Sequence, residues 1–251
     1  MTGVAALGLI TVLEGVWARE RLLSRMQAPV PPRTGVFGAG YGGTPIEFAL
    51  LGDSLAFGYG ADDPDRTVGV LLAQGLADAA QRPVRLSNAA VVGDESEDLA
   101  AQIATLERLG VRPDVVVIVI GGNDVMHVRN IGAAVGHLSD AVRTLRQNGS
   151  RVIVATCPDM GTVRRFFQPL RYLAHVLSRL LATAQTIVVL RAGGRTVSLA
   201  DTLGPVFSRE PSIMFSTDHL HPSSEGYAAA AAVLLPSVRA AAGYQIGRAH
   251  V

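Results

Sequence analysis

The chain has 251 residues, about half of them hydrophobic, which suffices for one substantial buried core and excludes a disordered or purely charged polymer. Its 22 basic and 21 acidic residues are interspersed, so the basic footprint of a nucleic-acid binder is missing and nucleic acid is set aside as a partner. The single cysteine, Cys157, cannot form an internal disulfide and has no zinc-site or redox-motif spacing, so no oxidising compartment is needed.

The first segment, Val4 to Ala18, is mostly apolar but contains Glu14 and has no basic residue ahead of it, which argues against a cleaved secretory signal. It is shorter than the roughly 20 residues that cross a bilayer. Its charges, Arg19, Arg21 and Arg25, follow it, so a membrane contact would leave the body of the protein cytoplasmic. The favoured expectation is a helix packed on the domain or on a second subunit, with membrane contact as the alternative. The Pro/Gly-rich stretch Pro29 to Gly43 reads as a linker. The expected organisation is therefore helix and linker over 1–45, a catalytic domain over 46–243 and a tail over 244–251. Gly38, Gly40 and Gly43 match a G-x-G-x-x-G dinucleotide fingerprint, but no strand is predicted before them and no helix after, so no cofactor is assigned.

From Ile46 onward, short apolar runs alternate with helical patterns. Strands are predicted at Ile46–Leu51, Val84–Ser87, Asp114–Ile120, Arg151–Thr156 and Arg195–Leu199. Helices are predicted at Thr67–Gln81, Ser96–Leu109, Ile131–Asn148 and Pro169–Leu190, with a last one after Pro222, whose fixed φ suits a first helical turn. The unbroken β-branched run Val115 to Ile120 predicts a central strand buried on both faces. The pattern is that of an α/β protein, a three-layer α/β/α sandwich around a five-stranded parallel sheet in the flavodoxin-like manner.

In open parallel sheets, ligands gather beyond the carboxyl ends of the strands. Four such places are unusual here: Gly52-Asp53-Ser54-Leu55, Asn88 leading to Gly93-Asp94, Gly121-Gly122-Asn123-Asp124, and Asp218-His219-Leu220-His221. These blocks resemble the four signature blocks of the SGNH (GDSL) hydrolase family, in their usual order and covering Ile46 to Tyr227. The resemblance implies the SGNH hydrolase fold and acyl-ester chemistry on Ser54.

The residue types support that chemistry separately. A serine hydroxyl is a poor nucleophile at neutral pH and needs a base to take its proton, a task suited to histidine. A carboxylate three residues before that histidine can hold it in one tautomer, and Asp218 and His221 have that spacing. Attack on a carbonyl places charge on oxygen, to be met by donors worth about 3 kcal/mol each. Candidates are the backbone N–H of Ser54, that of Gly93, where a missing Cβ permits close approach, and the amide of Asn123. Asp53 is expected to hold the nucleophile loop at the edge of the substrate site. Blander rivals exist: Ser54 as a helix cap, Asn123 as a turn residue, His219 as base, Asp201 as acid, and His127 as a surface or supporting residue. Ala56 stands where a G-x-S-x-G elbow needs its second glycine, which argues against an ordinary α/β-hydrolase. No histidine and carboxylate cluster has metal-ligand spacing, so no metal is called for.

Substrate is less legible than chemistry. An acyl-enzyme can be discharged by water, as in an esterase or thioesterase, or by a sugar hydroxyl, as in an acyltransferase. Met160 to Leu181 mixes Phe166 and Phe167 with Arg164 and Arg165, a set able to cover an acyl chain and grip an anion such as the phosphates of acyl-CoA. Basic residues are all Arg, an actinobacterial trait, and the chain is similar to mycobacterial octanoyltransferases. That similarity implies transfer of a medium-chain acyl group from acyl-CoA to a glucosylglycerate-type sugar acceptor. Cofactors are not expected, and oligomeric state is not encoded in any motif.

Overall fold

A computed structural model describes residues 32–244. The predicted helix at Val4 to Ala18 and nearly all of the predicted tail lie outside the described residues. Six strands form one sheet: β1 Gly35–Phe37, β2 Ile46–Gly52, β3 Val84–Asn88, β4 Val115–Val119, β5 Arg151–Thr156 and β6 Arg195–Ser198, in the order β1-β3-β2-β4-β5-β6. All pairings are parallel except β1 with β3, which is antiparallel. The larger helices are α2 Val68–Ala80, α3 Leu99–Arg108, α5 Ile131–Gln147, α6 Leu170–Arg191 and α10 Ser224–Ala241. Short ones are α1 Ser54–Phe57, α4 Gly122–Met126, α7 Leu199–Thr202, α8 Gly204–Arg209 and α9 Pro211–Met214.

The alternation of side chains along each strand divides the interior in two. Phe48 and Leu50 of β2 and Val115, Val117 and Val119 of β4 face α2 and α10, which supply Leu72, Leu76, Tyr227, Leu234 and Val238. Ala49, Leu51, Val116 and Ile118 face the other way, onto Leu99, Ile103 and Leu106 of α3 and Leu138, Val142 and Leu145 of α5. Every residue of β4 is buried, as its β-branched run predicts for a central strand.

The fold class is as predicted, and two details differ. The linker reading of Pro29 to Gly43 misses β1, three residues that add an antiparallel sixth strand beside β3. A strand therefore does precede Gly38, Gly40 and Gly43, yet the next element is β2 and not a helix, so the fingerprint still lacks the helix N-terminus that would receive a pyrophosphate. Pro222 stands outside the last helix: it pairs with Phe215 in an isolated bridge, while Ser223 caps α10 by accepting from the Gly226 N–H. Among the parallel strands the order reverses between β2 and β4, so the crevice beyond their carboxyl ends is the topological switch point of the sheet.

Candidate active site

Leaving β2, the chain turns at Gly52, where φ is +131° and an added Cβ would lie 1.8 Å from the Val119 carbonyl oxygen of β4. Only glycine fits there. Asp53 then caps the short helix α1, its carboxylate accepting the Leu55 N–H at 2.9 Å, so Ser54 sits at the first helical position with its hydroxyl aimed into the crevice. The capping residue is thus Asp53, one position before the predicted rival role for Ser54.

The Ser54 hydroxyl lies 3.0 Å from His221 Nε2, and His221 Nδ1 lies 2.6 Å from Asp218 Oδ2. All three residues are buried. The other carboxylate oxygen of Asp218 accepts from Ser216 Oγ at 2.8 Å, the Leu220 N–H at 2.8 Å and the His221 N–H at 2.9 Å. The D-x-x-H spacing therefore works through a turn folded around the carboxylate. Burial acts to raise the Asp218 carboxyl, but the bond and charge of His221, with the two N–H groups, outweigh it and hold it well below the ordinary carboxylate range. The ring of Tyr59 packs 4.5 Å from that of His221 and limits its rotation. His219, the rival base, is exposed with φ +58°, and Asp201, the rival acid, is engaged with Ser198 and Arg179.

Of the three predicted oxyanion donors, the N–H groups of Ser54 and Gly93 have no acceptor among the described residues, and both residues line the cavity. Asn123 Nδ2 donates one hydrogen to the Asp94 carbonyl at 2.9 Å, which leaves the second for a ligand. Gly93 is needed for a reason other than close approach: an added Cβ would meet nothing within 4 Å, whereas φ of +95° disfavours any side chain. Asp53 is almost fully buried, and burial pushes its carboxyl up to about 7, helped by the charge of Asp124 and opposed by the Leu55 N–H.

Other residues, none of them part of the predicted site, hold these loops. Gln102 on α3 donates to the Gly52 carbonyl at 2.8 Å and to Asp94 at 2.7 Å, and accepts from the Gly52 N–H at 2.7 Å. Gln185 on α6 ties the Ile120 carbonyl to the Cys157 N–H, and Asp124 receives both the hydroxyl and N–H of Ser96. Buried glutamines on otherwise apolar helix faces were the available signal. His127, expected to be a surface or supporting residue, is exposed at the edge of the cavity with its Nδ1 2.5 Å from Glu95, which also receives Arg129.

The crevice opens into a cavity of about 340 Å³, lined beside Ser54 and His221 by Val68, Val163, Leu203, Phe207, Phe215 and Leu234 among others. Of the predicted cover, Met160 to Leu181, the start reaches this cavity, through Met160, Thr162 and Val163. None of Arg164, Arg165, Phe166 and Phe167 lines this cavity. Arg164 and Arg165 donate to the Ser208 and Asp218 carbonyls, Phe166 is buried in the core and Phe167 is exposed. These two guanidinium groups therefore brace the loops around the site, a use of arginine that sequence does not separate from anion binding.

A parallel α/β sheet with a buried serine, histidine and carboxylate in hydrogen-bonded sequence at its switch point is the arrangement of a serine hydrolase. Residues 50–229 match the GDSL-like Lipase/Acylhydrolase family, and the chain belongs to that family. It is 39% identical over 248 residues to a GDSL-like esterase of Mycobacterium tuberculosis, covering 95% of this chain and 79% of the relative. Among solved structures, it resembles the hydrolase LAE5 from the metagenome of Lake Arreo, Spain (TM-score 0.60, 20% identity, 82% of this chain and 99% of that one). It also resembles the lipase/acylhydrolase of Enterococcus faecalis (TM-score 0.59, 23% identity, 78% and 96%). At these identities, the structures share the fold. The protein is an esterase or hydrolase of the SGNH/GDSL type, acting on small-molecule esters.

Proposed function

We propose that the protein hydrolyses carboxylic esters with a medium-length acyl group, through an acyl-enzyme on Ser54. In this reading, Ser54 Oγ attacks the carbonyl carbon as its proton passes to His221 Nε2, and Asp218 stabilises the resulting imidazolium. The carbonyl oxygen gains the negative charge and is met by the N–H groups of Ser54 and Gly93 and by Asn123 Nδ2. The alcohol leaves with the proton from His221; water then attacks the acyl carbon, gives its proton to His221, and the acid departs as Ser54 recovers its own. The observation that carries the proposal is the 3.0 Å approach of Ser54 Oγ to His221 Nε2 at the wall of an apolar cavity. The cavity is where an acyl chain would lie.

The test is a 4-nitrophenyl ester series from acetate to palmitate, together with fluorophosphonate trapping. We expect labelling at Ser54, a rate maximum at intermediate chain length, and a fall in kcat on the order of 10⁴-fold or more in Ser54→Ala. Labelling of another residue, or full activity in Ser54→Ala, overturns the assignment.

Transfer of an octanoyl-like group from acyl-CoA to a sugar hydroxyl such as glucosylglycerate would use the same acyl-enzyme and differ only in the acceptor. Octanoyl-CoA supplied with and without the sugar separates the two by mass spectrometry. Free octanoate in equal yield either way supports hydrolysis; acylated sugar at the expense of octanoate replaces it with transfer.

A further inference from the structure

The two ends of the cavity differ in chemistry. At one, Gly93 and His127 are exposed beside Asn123, so this end is polar and open to solvent. At the other, Val163, Leu199, Leu203, Phe207 and Leu234 are apolar and buried. An alkyl chain gains about fourfold in binding for each methylene taken out of water, a gain that only the buried end supplies in full. The acyl chain therefore belongs in the buried end, with the alcohol toward the open one.

Helix α10 runs along the buried end. Tyr227, Ala230 and Leu234, spaced three and four residues apart, share one face of it and all line the cavity. Tyr227 stands at the level of the nucleophile turn, because its hydroxyl donates to the Tyr59 carbonyl at 2.7 Å and passes 3.4 Å from that of Ser54. From there the helix rises about 1.5 Å per residue, which sets Ala230 about 4.5 Å and Leu234 about 10.5 Å further on. An extended chain advances about 1.2 Å per single bond, so about four bonds reach Ala230 and about nine reach Leu234. The small residue thus stands between the reacting centre and the far end. Phe207 stands over Gly226, one turn before Ala230, where an added Cβ would lie 3.1 Å from its ring. Side chains on a helix lean toward its N-terminus, so a larger residue at position 230 would project beside that ring and close the passage.

We propose that Ala230 is the specificity-determining residue for acyl-chain length: its methyl group leaves the way from Ser54 to the buried end open, and Leu234 stops the chain there. The proposal rests on the reading that Ser54 carries an acyl group, whichever acceptor takes it, and it names what selects that group.

The test is the 4-nitrophenyl ester series from acetate to palmitate on wild type, Ala230→Leu, Ala230→Phe and Leu234→Ala, each first titrated with a fluorophosphonate to count competent Ser54. We expect the octanoate-to-acetate ratio of kcat/KM to fall about 100-fold or more in Ala230→Phe, with its optimum at butanoate or shorter. Ala230→Leu should fall between that variant and wild type, and Leu234→Ala should move the optimum to longer chains. Ala230→Val repeats the test should the larger side chains prevent folding. A wild type that favours intermediate chains, with titrated Ala230 variants that keep its chain-length profile or lose rate uniformly across the series, overturns this proposal alone. So does a wild type fastest on acetate. A wild type that cleaves no ester, or is not labelled at Ser54, overturns the reading beneath it and the proposal together.

Discussion

In the proposed reaction, the Ser54 hydroxyl owes its reactivity to its neighbours, and each neighbour is held by a bond that can be cut separately. Asn123 keeps one amide hydrogen on the Asp94 carbonyl, which fixes the amide group and leaves the other hydrogen for a ligand. Asn123→Ala is expected to lower kcat about 10²–10³-fold with little change in KM, measured on a soluble ester. Asp53 is a different case, because its burial favours the protonated form and pushes its carboxyl up to about 7. In the unfolded chain, an aspartate titrates near about 3.9. The native state thus binds this proton more tightly, and the stability it contributes is complete below the unfolded value and lost as pH rises through about 7. Asp218, held low, acts in the opposite sense and loses its contribution only in acid, so it is constant above pH 5. Urea denaturation at pH 5 and pH 8 should show the wild type losing about 3 kcal/mol more than Asp53→Asn between the two. A parallel decline in both proteins would place the ionisation elsewhere.

At the scale of elements, the site depends on strand ends and helices being locked to one another. Tyr227, fully buried on α10, donates to the Tyr59 carbonyl at 2.7 Å and passes 3.4 Å from that of Ser54, joining the last helix to the nucleophile turn. Tyr227→Phe removes this buried hydrogen bond between distant segments, so unfolding titrations should show a loss of about 1 kcal/mol. Because the contact reaches the Ser54 turn, kcat should fall as well, and an unchanged kcat would confine the tyrosine to stability. Helical periodicity locates the five larger helices to within a few residues. It says nothing of β1, whose Val36 and Phe37 stand among prolines and glycines and acquire strand geometry only by pairing with β3. The partners of Gln102 and Gln185 are equally hidden: the linear chain marks each only as a glutamine on an apolar helix face, and the carbonyls and N–H groups they bind come beside them when the helix docks.

For the whole molecule, the two half-cores close over everything between them, including Cys157, which is completely buried at the end of β5. Burial pushes its thiol well up, as do the charges of Asp53, Asp124 and Asp159. Ellman's reagent should therefore modify Cys157 at once in guanidinium and on the order of 10³-fold or more slowly in the native protein, where reaction waits on opening. Rapid native labelling would show that β5 and α6 separate locally. The family, the parallel sheet and the residues Ser54, Gly93, Asn123, Asp218 and His221 were all legible in the linear chain. Periodicity of apolar residues sets the elements, and the order of βα units then brings loops after β2, β3 and β4 and before α10 to one crevice. What only the tertiary structure decided are matters of packing between distant segments. These are the bracing of Arg164 and Arg165 against carbonyls, the place of His127 at the edge of the cavity, and the row of Tyr227, Ala230 and Leu234 that α10 turns into it. Local pattern records that a side chain is polar or apolar, while its partner is chosen by whatever the folded chain sets beside it.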